Sequence, residues 1–461
     1  MPMTNPIPKE PDLCIVGAGS AGFDAATAGA ALGLSVTVVE QHSVPRPSTN
    51  RAIALAVLRE AAEANAVGAP STRPFAAVRA RLLAALADAA PDRRLIRLAA
   101  MNVTILHGRA RFADPHTLMI GDRRLRPRRI VLATGSTPMS FADPAIDALP
   151  AFAPDELDRV TELPAHIVIA GSCATAVSVA QSFRRLGSQV TLLAAGTPLA
   201  NIDPELSGPV LDALRREGVV LAGLENIAGV EARNGGIAMS FADGRSLVAS
   251  HLVRCPGSRP ALDGLDLGAG SIVSAGGQLR LSAALRTTNP RVYAVGAVTG
   301  HPGAAQVQIG AVLRSAFFKL PARVRPELVP TIVETDPPIA TVGLSAVDVG
   351  QGEAFRIYRW PFAETDAGRA RRRPEGHVKI VADRRGRVLG AGIVGGAARE
   401  MIPFWSLAIS QDMTLAQLGA IPVPPASFAE ASRRAAVTHV ASQLASPWIK
   451  RAMSVLGRFG P

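Results

Sequence analysis

The stretch "DLCIVGAGSAGFDAATAGAALGLSVTVVE" (12–40) limits what this chain can fold into more than any other. A short apolar strand runs into Gly17-x-Gly19-x-x-Gly22, an alanine-rich helix follows, and a second apolar strand ends on Glu40. Three glycines alone say little, but between a strand and a helix, with an acid closing the next strand, they specify a dinucleotide-binding β-α-β unit. Gly17 permits the tight turn, Gly19 lets the backbone approach a pyrophosphate, and Gly22 lets helix and strand pack closely. The helix start offers N–H groups and a positive dipole end to phosphates. Glu40 stands where a carboxylate can accept hydrogen bonds from ribose hydroxyls. A β-α-β unit that is structural only is the alternative.

The chain has 461 residues, enough for two to four domains with real cores. Helical stretches are expected at 51–64 and 74–89, strand-like segments at 102–120, and "RIVLATGSTP" at 129–138. A second nucleotide-type unit covers about 166–194, and an alternating β-rich region runs to 280. "TTNPRVYAVGAVTG" (287–300) and a helix near 304–318 follow. From "VPTIVETDPPIATVGLS" (329–345) onward the pattern is strands and then helices, an α+β layer. No apolar run reaches the ~18 residues of a spanning helix and no secretory-type leader opens the chain, so a cytoplasmic protein is expected. Net charge is +12, yet the densest basic cluster, "RARRRPEGHVK" (369–379), reads as a solvated loop. Aromatic residues are only 4% and no nucleic-acid module signature is present, so no nucleic-acid partner is expected. Cys14, Cys173 and Cys255 are too far apart in sequence for a C-x-x-C pair or a local metal set; each reads as a buried, inert thiol, and no metal is expected.

Four segments then stand in a telling order: the N-terminal glycine turn, "LATGSTP", "YAVGAVTG" and "VPTIVETDPPIATVGLS". Together they resemble the flavoprotein pyridine nucleotide–disulfide oxidoreductases, the group of dihydrolipoamide dehydrogenase, glutathione reductase and mercuric reductase. "ILHGRARFADPHTL" (105–118) is most similar to the mercuric-reductase-like branch. The resemblance implies an α/β fold with two Rossmann-like nucleotide-binding domains of the glutathione-reductase type and a C-terminal α+β dimerisation domain. It places an FAD-binding domain at 1–155 and 281–327, a degenerate NAD(P)-binding domain at 156–280 and the dimerisation domain at 328–461, in a homodimer.

The family's electron relay can be followed residue by residue. Gly17, Gly19, Gly22 and Glu40 match the adenosine end of the FAD site. By the same resemblance Ala110 and the turn Ala133, Thr134, Gly135 and Ser136 line FAD through main-chain contacts. Where the family reads "VGD", this chain reads Val295, Gly296 and Ala297, so the bond from that Asp to the ribityl chain is lost. Such a loss costs on the order of 1–3 kcal/mol, which weakens FAD without excluding it. The segment "EQHSVPRPSTNRAIALAV" (40–57) lacks the family's C-x-x-x-x-C, and Arg51 stands near the place of the flavin-contacting lysine or simply opens a solvated helix. Near the C-terminus, "IPVPPASFAEASRRAA" (421–436) puts Pro424 in the place of the catalytic histidine while Glu430 survives. In the second turn, "IVIAGSCATAV" (167–177), Gly171, Cys173 and Ala176 hold the three glycine places. Ser178 replaces a glutamate and Ala194 replaces the acid that holds the NAD ribose. NAD(P)H is therefore doubtful, and Cys173 reads as a space-filling residue, with a new redox thiol as the alternative.

The expected function is an FAD-dependent oxidoreductase without the active-site disulfide, passing electrons from flavin to a small acceptor such as a quinone or oxygen. The alternative is a catalytically retired relative kept as an FAD-binding or apo dimer for interaction. Disulfide and mercuric reduction are expected to be excluded, and no catalytic residue is assigned. In the tail "SPWIKRAMSVLGRFGP" (446–461), Trp448, Ile449, Ala452, Met453 and Leu456 fall on one helical face. That face suits docking on the protein's own dimer better than contact with a membrane surface.

Overall fold

The structure is a computed structural model that describes residues 9–42, 49–66, 74–89, 91–233, 236–349, 354–444 and 447–456. The chain divides into two compact units: Met1–Ala61, Ala69–Gly171 and Ile227–Pro326 form the first, and Ala62–Gly68, Ser172–Asn226 and Glu327–Pro461 the second.

The first unit is built on a five-stranded parallel sheet. Its elements are β1 (Leu13–Val16), α1 (Ser20–Ala31), β2 (Val36–Glu40), β3 (Thr104–His107), β4 (Arg129–Leu132), β5 (Val292–Ala294) and α2 (Ala305–Phe317). Strand order is β5-β4-β1-β2-β3. Leu13, Ile15, Val36, Val38, Val131 and Tyr293 enter one apolar core, and Cys14, Val16, Val39, Leu106, Ile130 and Val292 enter another. Both faces of a parallel sheet are thus covered, which is why these strands read as continuous apolar runs. Helix α1 is threaded with alanine because Ala25 and Ala26 must lie flat on the sheet. An antiparallel ribbon, Ala110–Asp114, Thr117–Ile120 and Arg123–Leu125, closes the second core through Phe112 and Leu118. Within this unit His166–Ala170 also pairs in parallel with His251–Arg254.

The second unit carries a five-stranded antiparallel sheet in the order Thr331–Val333, Ile339–Gly343, Val388–Val394, His377–Asp383, Phe355–Pro361. Helices Ala398–Ser410 and Ala429–Leu444 share its core around the fully buried Trp405. The same unit holds helices Ala174–Leu186 and Pro204–Arg216 and the parallel strands Gln189–Ala194 and Val220–Gly223. These agree with the α/β nucleotide-type elements and α+β layer that the sequence implies. The tail forms helix Pro447–Leu456; Met453 on it is exposed, and the side chains of Trp448, Ile449 and Leu456 lie outside the described residues. Among the described residues no helix is long and apolar enough to cross a membrane.

Buried charge ties this unit together. Lys379, only 5% exposed, reaches Asp203 Oδ2 at 2.6 Å and Glu205 Oε1 at 2.9 Å. Asp203 caps helix Pro204–Arg216 by accepting from the Glu205 N–H. Arg359 donates to both Glu205 oxygens, at 2.6 and 2.7 Å. The Arg359 bonds, joined by those of Lys379, overcome the cost of burial and pull the Glu205 carboxyl down to about 2. Because the folded value lies below the unfolded one near 4.5, this stabilisation is complete above that pH and is lost as pH falls toward about 2. Glu205→Gln is accordingly expected to flatten the fall in melting temperature over that acid range. An unchanged acid limb in a thermal-melt series would count against this role.

Candidate functional site

Main-chain bonds tie the glycine turn at the carboxyl end of β1 to the neighbouring strands. Gly17 donates to Val39 O at 2.8 Å and Ala133 donates to Val16 O at 2.9 Å, so the ends of β1, β2 and β4 meet there. A Cβ on Gly17, whose φ is +107°, would stand 2.4 Å from Ala133 O, and one on Gly22 would stand 1.8 Å from Gly17 O. Helix α1 therefore crosses β1 at backbone contact. Gly19, the N-cap of α1, differs: a Cβ there meets nothing within 4 Å. Gly19, lacking a side chain, supplies no cap bond to α1.

Of the other predicted residues, Glu40 and Ala133 meet the turn directly and Gly296 meets α1. Buried Glu40 ends β2, with Oε2 accepting from the Ala18 N–H at 2.8 Å and Oε1 from the His42 N–H at 2.9 Å. The carboxylate is thus aimed at the turn and keeps lone pairs for further donors. Ala110 packs in the core that contains Val16 and Val39. After β4, Ala133 abuts Gly17, Gly135 turns at φ +78°, and Ser136 opens the short strand Ser136–Pro138. The Thr134 hydroxyl is buried and has no hydrogen-bond partner among the described residues. Gly296 lies against α1, where an added Cβ would be 2.7 Å from that of Ala21, and Ala297 follows it. Arg51 is engaged by Asp155, its Nε 3.9 Å from Oδ1.

Sequence reasoning passed over two residues here. One is Thr134 as a side chain, hidden because its turn was read for main-chain contacts. The other is Gln308, whose Oε1 accepts from the Gly296 N–H at 2.6 Å. Its signal is legible: a lone amide on an otherwise apolar helical stripe, Ile309, Val312, Leu313 and Ala316.

The second turn is built differently. Gly171, at φ +143°, passes so close to Cys255 that a Cβ would lie 2.1 Å from its carbonyl oxygen. In the other unit Cys173 caps helix Ala174–Leu186, Ser178 donates its hydroxyl back to Ala174 O at 2.9 Å, and Ala176, Ser178 and Ala194 are buried. Cys14 and Cys255 are buried as expected, and burial pushes the Cys14 thiol up to about 12. Cys173 departs from the expectation for it: a helix cap sits at the rim of the packed core, which leaves it half-buried. No disulfide joins any of the three. Pro424 and Glu430 both line a groove of about 490 Å³, with Arg433 and Asp366. Glu430 pairs there with Arg434 and accepts from the Asp366 N–H.

Residues 11–312 match the model of the pyridine nucleotide-disulphide oxidoreductases, and residues 329–436 match the dimerisation domain of the same group. The chain belongs to the pyridine nucleotide-disulphide oxidoreductase family. It is 29% identical over 461 aligned residues to a mercuric reductase of Streptomyces lividans, covering 93% of this chain and 96% of that protein. A dihydrolipoyl dehydrogenase of Thermus scotoductus is 28% identical, with 93% and 97% covered. A mercuric reductase of Acidithiobacillus ferrooxidans is 29% identical over 73% of this chain, which spans 63% of that longer protein. Among solved structures, the Cu(II) complex of the HOCl-induced flavoprotein disulfide reductase RclA from Escherichia coli superposes with a TM-score of 0.82 at 22% identity, covering 93% and 99%. LpdA from Mycobacterium tuberculosis gives 0.80 at 23%, covering 94% and 99%.

Members of the family are FAD-dependent flavoproteins that use NAD(P)H, and the matched dimerisation domain supports a homodimer. One expectation is overturned. Mercuric and disulfide reductases run through the relatives and structural neighbours of this chain, so the exclusion of both activities does not stand. Its physical basis was too narrow, because missing cysteines inside the chain do not decide which external oxidant a reduced flavin meets.

Two outcomes follow from the geometry. Gly22→Ala is expected to destabilise the protein by about 1–3 kcal/mol or more through overpacking, whereas Gly19→Thr changes stability by no more than about 0.5 kcal/mol, since threonine is a good N-cap. Denaturant unfolding of both variants checks this, and equal losses would contradict it. A thiol reagent applied to the native protein is expected to modify Cys173 and leave Cys14 and Cys255 until unfolding. Labelling that survives in Cys173→Ser would contradict it.

Proposed function

We propose that this chain is an FAD-dependent oxidoreductase in which electrons leave the flavin directly for a small acceptor such as a quinone or oxygen. The observation that carries the FAD half is the cradle: an open face over Gly19 at the start of α1, the buried Glu40 carboxylate, and a buried Thr134 hydroxyl with no partner among the described residues. A buried hydroxyl without a bond is costly unless a ligand supplies the bond. Direct transfer is supported by the thiols present: Cys14 and Cys255 are buried, and half-buried Cys173 forms no disulfide with either.

In this reading FAD-binding segments occupy 1–155 and 281–327, the NAD(P)-type domain 156–280 and the dimerisation domain 328–461. Gly17 and Gly22 bring the start of α1 to the end of β1, so that its N–H groups receive the pyrophosphate over Gly19. Glu40 accepts from the ribose hydroxyls, and Thr134 gains its missing partner. Ala110, Ala133, Gly135 and Ser136 shape the wall, with Gly296 and Ala297 opposite, and Arg51 keeps positive charge near the cofactor. FAD supplies the reversible two-electron chemistry that none of these side chains possesses.

The test is a visible spectrum of the purified protein, before and after incubation with FAD and desalting, followed by anaerobic reduction with dithionite. A retained flavin band that quinone or oxygen rapidly restores is the expected result. No retained band would refute the FAD reading. A reduced flavin restored only by a disulfide or by mercuric ion would refute direct transfer to the proposed acceptors.

A further inference from the structure

Helix α2 turns Gln308 into the protein with 0% of its surface exposed. A buried amide persists only where its polar atoms are bonded, and Gln308 meets that demand on one short turn. Its Oε1 accepts from the Gly296 N–H at 2.6 Å, and its Nε2 donates to Thr299 Oγ1 at 2.8 Å. The Thr299 hydroxyl in turn donates to Gly296 O at 2.8 Å. Three residues therefore close a hydrogen-bonded ring around the turn Gly296–Thr299.

That turn belongs to the cradle. Gly296, at φ +76°, is packed so tightly on Ala21 that a Cβ would come within 2.7 Å of it, and Ala21 is two residues beyond Gly19. At position 297 a methyl group can neither anchor the turn nor bond a ligand. The ring is then what fixes the turn to α2, while Gly296 itself rests on Ala21 of α1.

We propose that Gln308 is a positioning residue for FAD: through its bonds to Gly296 and Thr299 it holds the turn that walls the cradle opposite Glu40. The inference rests on the flavoprotein reading above. It predicts an effect on the cofactor from a side chain that never touches it.

The experiment compares the parent protein with Gln308→Leu, Thr299→Val and Gln308→Glu, by fluorescence titration of apoprotein with FAD, the spectrum of bound flavin and the melting temperature of the apoprotein. Ser178→Ala, which removes a buried hydroxyl bond in the other unit, serves as control. Gln308→Leu and Thr299→Val are each expected to weaken FAD binding by about tenfold and to alter the shape of the flavin band. Gln308→Glu, whose carboxyl is protonated in this buried place and so can accept from the Gly296 N–H while donating to Thr299 Oγ1, is expected to restore most of the affinity. The control should bind FAD as the parent does. Parent-like affinity and spectrum in both Gln308→Leu and Thr299→Val, with only the melting temperature lowered, would overturn the proposal. Should Gln308→Leu fail to fold, Thr299→Val alone decides between these results. A parent that takes up no FAD would overturn the flavoprotein reading, and this inference with it.

Discussion

The candidate site depends on one contact between peptide groups. Gly22 in α1 passes over Gly17 at the end of β1 so closely that no side chain fits at Gly22, while Ala133 O leaves no room for one at Gly17. This crossing sets the start of α1, with the positive end of its dipole, at the carboxyl end of β1. The same crossing puts Ala133 against Gly17 and, through the Gly17 N–H, locks the end of β2 beside the turn. Glu40 is delivered by that lock rather than by any contact of its own with the helix.

Around that point the chain keeps some parts of a two-nucleotide machine and alters others. The first turn retains all three glycines and its acid. The second retains Gly171, whose closeness to Cys255 O makes glycine obligatory, but carries Cys173 and Ala176 in the remaining places. In the C-terminal unit, Lys379, Asp203, Glu205 and Arg359 form a network whose work is structural: it pins the cap of one helix to two strands.

Much of this was legible in the sequence because it is backbone chemistry. A glycine that must admit a neighbouring carbonyl, a strand buried on both faces and an acid at a strand end all leave local patterns, so the first β-α-β unit, with Gly17, Gly19, Gly22 and Glu40, could be read from spacing, while the rest of the fold came from the resemblance. What was not legible depends on side chains from distant segments. Gln308 reaches Gly296 across twelve residues, and the bare hydroxyl of Thr134 is visible only once the turn has been built. The half-exposure of Cys173 was hidden for the same reason, because apolar neighbours in sequence do not say whether a cap points inward. The expectation that erred most, the exclusion of mercuric and disulfide reduction, inferred a substrate from residues within the chain, whereas the acceptor is chosen by what can approach the flavin.

The central claim is that the cradle at the carboxyl ends of β1, β2 and β4 holds FAD. Thermal melting of apoprotein over a series of FAD concentrations tests it most directly, because a ligand bound only by the folded state raises the melting temperature as its concentration grows. A rise that continues with FAD and is much smaller in Gly19→Thr is the predicted result. A melting temperature indifferent to FAD, or a rise of equal size in Gly19→Thr, would contradict it.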